Sequence, residues 1–211
     1  MRILIIGDTH AQDDIFLRVL SKERGSDALR SGDGANSSDA LRSGDGANSS
    51  DALRSGNGAN AFDVLRSRNG ANAFDVLLHT GDFEGSEMVY RELSGTPFYY
   101  VAGNNDFFTE APFERVIELA SCRIYMTHGH RYNVFETNEG ILREAARRHA
   151  QIAVYGHSHY PVAEVKRGIL LLNPGSLAWP RQEGRRPSYI VLELSGGKVD
   201  SCEIRYLDRE I

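Results

Sequence analysis

Metal-ligand side chains recur in this chain where apolar runs stop. The opening run Arg2-Ile3-Leu4-Ile5-Ile6 ends at Gly7-Asp8-Thr9-His10, leaving a carboxylate and an imidazole two positions apart. Similar endings follow at Gly81-Asp82, Gly103-Asn104-Asn105-Asp106, His128-Gly129-His130 and Gly156-His157-Ser158-His159. Carboxylate, amide oxygen and imidazole together suit borderline first-row dications such as Mn, Fe, Ni or Zn, whereas calcium prefers all-oxygen shells. Asp8, His10, Asp82, Asn104, His128, His157 and His159 are too many donors for one such ion. They suit two ions about 4 Å apart and bridged by one carboxylate, the arrangement that clamps attacking and leaving oxygens in phosphoryl transfer. Each piece alone has a plainer explanation: Asp8 can cap a helix, Asp82 can sit in a turn, and His157 with His159 can be a strand-end pair. Coincidence at every strand end is a poor explanation of the set.

The elements that must deliver these residues follow from periodicity. Arg2–Ile6 reads as a buried strand, and apolar positions 15, 16, 19 and 20 within Asp13–Leu20 read as a helix lying back on a sheet. Phe74–Leu78 and Pro97–Ala102 are the next predicted strands, with a short helix over Glu87–Leu93 between them. Residues 114–127 alternate as an antiparallel pair turning near Ser121, and Asn138 opens a helix through His149. A strand at Ile152–Tyr155 leads to the last histidine pair. The strands near 162–165, 169–172, 188–194 and 199–206 read as a second, largely antiparallel sheet.

From Ser26 to Ala73 the sequence repeats with a period of twelve, beginning SDALRSGDGANS. Gly, Asn, Ser and Asp dominate, and each copy has too few large apolar side chains to bury a core. The spacing matches neither a calcium β-helix nor an Asp-x-Asp-x-Asp-Gly loop. A passive insertion at 26–73, produced by tandem expansion beside the strand at 74, is expected within one domain spanning 1–211. Proteolysis within it should then spare the site. Phe62–Leu65 repeats the strand-like pattern but carries no acidic residue at its end.

A formal charge of −5 and a pI near 5.8 argue against a duplex-binding surface, and the missing basic groove disfavours nucleic acid generally. Arg2 alone before an apolar run broken by Asp8 fits neither a signal peptide nor a membrane span, so a cytoplasmic protein is expected. Cys122 and Cys202 lack CxxC spacing and read as buried apolar side chains.

The motifs GDTH, GD, GNND, HGH and GHSH, in this order, resemble the calcineurin-like metallophosphoesterases, specifically their small single-domain phosphodiesterase branch. That branch also includes the eukaryotic retromer subunit, which uses the fold as a protein-interaction scaffold. Asn173-Pro174-Gly175-Ser176 resembles a turn after the last histidine pair in the same branch. The resemblance implies an α/β fold: a four-layer α-β-β-α sandwich of two mixed β-sheets flanked by helices. By position, Asp8, His10 and His159 would hold one divalent metal, Asn104, His128 and His157 the other, and Asp82 would bridge them. The implied reaction is hydrolysis of a small phosphoester, most often a diester, by a hydroxide bridging two metals. Manganese is the expected metal, with nickel, iron or zinc as alternatives. A homo-oligomer is compatible with the sequence.

Larger relatives have His where this chain has Asn105, which can donate a hydrogen bond but supplies no proton at neutral pH. Asn105 and His130 are therefore the candidate catalytic groups, with His130 substituting for the missing imidazole. Asp106 reads as a residue that orients its neighbours, His79 as a packed or supporting residue, and His149 as a helix-end charge. Arg181, Arg185 and Arg186 could meet an anionic substrate or be solvated loop charges. The competing functional class is a non-catalytic scaffold of the retromer-subunit type.

Overall fold

A computed structural model describes residues 1–30 and 73–208. Most of the 26–73 repeat, including the strand-like pattern at Phe62–Leu65, lies outside them.

Ten strands and three helices are described: β1 (Arg2–Ile6), α1 (Asp13–Arg30), β2 (Val76–His79), α2 (Glu87–Ser94), β3 (Phe98–Tyr100), β4 (Glu114–Leu119), β5 (Cys122–Thr127), α3 (Glu139–Arg147), β6 (Ile152–Val154), β7 (Pro161–Lys166), β8 (Ile169–Pro174), β9 (Ser188–Ser195) and β10 (Lys198–Tyr206). They form two five-stranded sheets, ordered β10-β9-β1-β2-β3 and β4-β5-β6-β8-β7. In the first, β1, β2 and β3 are parallel while β9 runs antiparallel to β1. In the second, β5, β6 and β8 are parallel, with β4 and β7 antiparallel at the edges. Both sheets are therefore mixed, as the resemblance implied.

Strand alternation builds the layers. Ile3, Ile5, Val76, Leu78, Ile190 and Leu192 face Ile124, Met126, Ile152, Val154 and Leu172 across a core between the sheets. The opposite faces of the same strands, through Leu4, Ile6, Leu77 and Val191, pack on Phe16, Val19, Leu20, Tyr90 and Leu93 of α1 and α2. On the far side, Tyr125, Ala153 and Leu171 meet Ile141, Leu142 and Ala145 of α3. The order is α-β-β-α. Each central strand buries both faces, which is why β1 reads as a continuous apolar run.

One expectation is corrected. The four C-terminal strands do not make a second sheet of their own: β7 and β8 complete the β4-β5-β6 sheet, and β9 and β10 return to cover β1. Periodicity identifies a strand without naming its neighbour, and β9, apolar on both faces, belongs at the centre of a sheet. In addition, α1 runs past Leu20 to Arg30, into the first residues of the repeat. Residues 74 and 75 precede β2, and Asp75 spends its carboxylate on the Arg2 N–H at 2.7 Å.

With β1, β2 and β3 parallel, as are β5 and β6, the ends that carry the motifs gather at one edge of the sandwich, the usual place for a site in an α/β sheet.

Candidate metal centre

The tips of β1 and β2 are tied together first. Asp8 N–H donates to Gly81 O at 3.1 Å, and the N–H groups of Thr9 and His10 converge on Asp82 O at 3.1 and 2.9 Å. These bonds place the Asp8 and Asp82 side chains, 0% and 1% exposed, on the same inner surface. Beyond β3, Asn105 grips Asp82 twice: its N–H reaches Oδ1 at 2.9 Å and its amide reaches Oδ2 at 2.8 Å. Asp106 accepts the backbone N–H groups of Asp82, Phe83, Glu84 and Gly103 at 2.7 to 2.8 Å, so one carboxylate fixes both loops. Gly103 is required for space: a Cβ there would lie 2.1 Å from Asp82 Oδ1.

The second sheet adds the imidazoles. His128 Nδ1 is 2.8 Å from Thr80 O, which turns Nε2 towards Asn104 Oδ1 at 3.1 Å and Asp82 Oδ2 at 3.6 Å. His157 donates its backbone N–H to Asp8 Oδ2 at 3.2 Å. His159 Nδ1 meets Trp179 O at 2.8 Å, and its Nε2 lies 3.1 Å from Asp8 Oδ1. His10 follows the same rule, with Nδ1 2.7 Å from Glu84 Oε1 and Nε2 3.8 Å from Asp82 Oδ2. An oxygen on one ring nitrogen leaves the other free to bind a metal, which is how metal-ligating histidines are normally oriented.

Two overlapping groups of potential ligands result: Asp8, His10 and His159, and Asp8, Asp82 and His128, each with its ligand atoms within 4.8 Å of one another. His10 Nε2 is buried without a hydrogen-bond partner, and Asp8 Oδ1 is buried with only the His159 ring nitrogen facing it at 3.1 Å. Orphaned buried polar atoms are costly unless something else satisfies them, and a divalent cation is the partner that suits carboxylate and imidazole equally. The donor set therefore fits divalent metal. Asp82 Oδ2 stands between His10 and His128, one from each group.

Backbone strain concentrates here as well. Asp8, His10, Asp82, His157 and His159 all have φ between 46° and 67°, left-handed values that cost non-glycine residues energy and that cluster at functional sites.

Burial raises the Asp8 carboxyl, yet the His159 contact, the charges of His128 and His159 and the His157 N–H outweigh it and hold Asp8 below the usual carboxylate range. Burial, then the neighbouring His128 charge, drives His157 down to about 4, which leaves its imidazole neutral and competent as a ligand at neutral pH. Burial also lowers His159, but the Asp8 partnership reverses the sign and the net shift is upward.

Of the remaining expected site residues, Asn104 reaches His128, and the His157 ring packs edge-on against His128 at 5.0 Å. His130 lies outside both ligand groups, its ring 5.4 Å from His128 and 6.2 Å from His157, with a buried Nδ1 that has no partner. Burial, with His128 and Arg131 nearby, lowers its pKa. The Asn105 amide is committed to Asp82. His79 is fully buried, stacks on Tyr90 at 5.4 Å, contacts Thr9 Oγ1 at 3.0 Å, and is pushed down to about 3 chiefly by burial. The Asn173 turn clamps the centre: the Asn173 amide donates to Gly156 O, and Ser176 Oγ donates to Asp8 O at 2.8 Å.

Sequence reading missed Glu84 and Trp179. Glu84 follows Asp82 by two residues, a signal that local spacing could have carried. Trp179, the only tryptophan, stacks on His10 at 3.8 Å; no local pattern marks it.

A family profile described as the calcineurin-like phosphoesterase superfamily domain matches residues 58–197. The probable metallophosphoesterase YsnB of Bacillus subtilis is 34% identical over 133 residues, 63% of this chain and 75% of that protein. The phosphodiesterase YfcE of Escherichia coli is 36% identical over 83 residues, covering 39% of this chain and 40% of that one. Among solved structures, wild-type Vps29 from Entamoeba histolytica complexed with Zn2+ superposes with a TM-score of 0.59 at 19% identity, covering 99% of each chain, a likeness of fold alone.

Proposed function

The chain belongs to the calcineurin-like phosphoesterase superfamily, and from that premise we propose that it is a cytoplasmic, divalent-metal-dependent phosphodiesterase acting on small phosphoesters. The observation that carries the reading is the pair of overlapping buried ligand groups, with a partnerless ring nitrogen at His10. Asp8, His10 and His159 would hold one ion, Asn104, His128 and His157 a second, with Asp82 between them. Manganese fits this donor set, as do nickel, iron and zinc. When bound, the ions supply a hydroxide at neutral pH and neutralise charge on the phosphoryl oxygens.

The chain's own residues do the rest. Asn105 and Asp106 fix Asp82 from two sides, so the carboxylate between the two ligand groups does not rotate. Glu84, Thr80 and Trp179 set the orientation of His10, His128 and His159 through their Nδ1 atoms. His130, its pKa lowered chiefly by burial, would place an imidazole beside His128 and His157 for a phosphoryl or leaving oxygen.

The scaffold reading draws on the Vps29 fold. Left-handed backbone at five candidate ligands and orphaned buried atoms cost stability, and a scaffold gains nothing from them. Hydrolysis of bis-p-nitrophenyl phosphate with added Mn2+ tests the proposal. Asp82→Ala and His157→Ala should each lower kcat/KM by about 100-fold or more. Equal turnover by the parent and both variants overturns it.

A further inference from the structure

Beside the centre, a cleft of about 570 Å³ is lined by Tyr160, Ala178, Trp179, Pro180, Arg181 and Arg185. It shares parts with the centre. The Trp179 carbonyl is the oxygen that orients His159, and the Trp179 indole stacks on His10, yet the residue is still 55% exposed. Tyr160, next to His159, is 48% exposed. Two large aromatic side chains held half-open at a polar site offer flat apolar surface to a planar group.

The same cleft holds positive charge that the protein does not neutralise internally. Arg181 N–H donates to His159 O at 3.3 Å, and its guanidinium lies 5.3 Å from the Phe135 ring, which itself packs on His157. Arg181 is thus held beside His159 by its backbone and near Phe135 by its side chain. Among the described residues neither Arg181 nor Arg185 is ion-paired, whereas the adjacent Arg186 pairs with Asp208 at 2.8 Å. Two guanidiniums without an acidic partner thus line one cleft in a chain of net charge −5, and guanidinium suits phosphate oxygens.

We propose that this cleft is a substrate subsite for a nucleotide that carries a second phosphate besides the one at the metal centre. Its base lies on Trp179 and Tyr160, and its additional phosphate is held by Arg181 and Arg185. The assignment rests on the phosphoesterase reading for the identity of the scissile group and deepens it by naming the substrate class.

The single tryptophan makes the test direct, because binding is read by its fluorescence without turnover. The full-length protein saturated with Mn2+ is titrated with adenosine 5′-monophosphate, adenosine 3′,5′-bisphosphate and inorganic pyrophosphate. Both nucleotides should quench Trp179, with the bisphosphate bound roughly tenfold more tightly, the increment of one charge-assisted contact set. In Arg181→Gln/Arg185→Gln the two nucleotides should bind equally, while Arg186→Gln should keep the preference. Equal affinities in the parent, a preference that survives the double substitution, or pyrophosphate binding as well as the bisphosphate would overturn the assignment. Failure of the phosphoesterase reading has a different signature: quenching and preference persist while manganese-dependent hydrolysis is absent.

Discussion

Replacing Gly156 by alanine probes whether Asp8 stands where the centre needs it. A Cβ at Gly156 would lie 2.5 Å from Thr80 Oγ1 and 2.7 Å from Asp8 Oδ2, both inside normal contact distance. The two neighbours respond differently. Thr80 Oγ1 has no hydrogen-bond partner to lose when it shifts. Asp8 is 0% exposed, pinned by the His157 N–H at 3.2 Å on Oδ2 and faced by His159 Nε2 at 3.1 Å from Oδ1, so it must be displaced bodily. Gly156 is not among the positive-φ glycines, so the penalty is steric rather than conformational. Overpacking of this kind costs about 2 kcal/mol, which for a chain of this length lowers Tm by roughly 4–8 °C. Moving a ligand by a few tenths of an ångström should also weaken Mn2+ binding by about 10-fold or more. Adding Thr80→Ala removes only the forgiving contact and should recover less than about 0.5 kcal/mol. Thermal unfolding with and without Mn2+, together with a metal titration, reads all of this. A Gly156→Ala protein with parental Tm and parental metal affinity would refute the packing argument and the position of Asp8 with it.

Other perturbations follow from the same geometry. Asp106→Asn exchanges an acceptor for a donor opposite four backbone N–H groups; it should cost about 2–3 kcal/mol in urea denaturation and lower metal affinity through Asp82, and a neutral result would contradict the tethering role. Hydrogen bonds from Arg147 and Arg148 hold Glu144 down to about 2 from an ordinary value of 4.5, so its contribution is fully present above pH 4.5 and is lost as pH falls through 2. Glu144→Gln should therefore remove about 1 kcal/mol at pH 7 and little at pH 2, a modest figure because the pairs lie at the surface; an equal loss at both pH values would contradict the assignment. Burial, then the charge of Glu203, raises the Cys202 thiol to about 11, and burial raises Cys122 too. Cys202 should react with a thiol reagent at pH 8 roughly 100-fold more slowly in the native protein than after denaturation, with Cys122 slowed as well, and rapid native labelling would show otherwise.

Much of the fold was legible because its signals are local. An apolar run that stops at glycine followed by a ligand residue announces both a buried strand and its functional end, as at Ile6-Gly7-Asp8 and Val154-Tyr155-Gly156-His157. The hairpin of β4 and β5 was equally plain, since alternation and the turn near Ser121 lie within one short stretch. Sheet membership was not legible. Whether β9 pairs with β8 or returns to β1 depends on registers such as Ile5 opposite Ile190, which join residues far apart in the sequence. The loop that frames the site was obscure for the same reason. Trp179 stands beside His10 because Leu177 N–H donates to Gly7 O and Ser176 Oγ to Asp8 O, and nothing in the letters around Trp179 announces those partners.

Metal stoichiometry tests the central claim most directly. Calorimetric titration of the chelator-stripped protein with Mn2+, checked by elemental analysis, should give about two equivalents per chain at saturation. Asp8→Ala should reduce that number, because Asp8 belongs to both ligand groups. Binding of about one equivalent or none under saturating manganese, or an Asp8→Ala protein that still takes up two, would contradict a two-metal centre at the ends of β1, β2, β5 and β6.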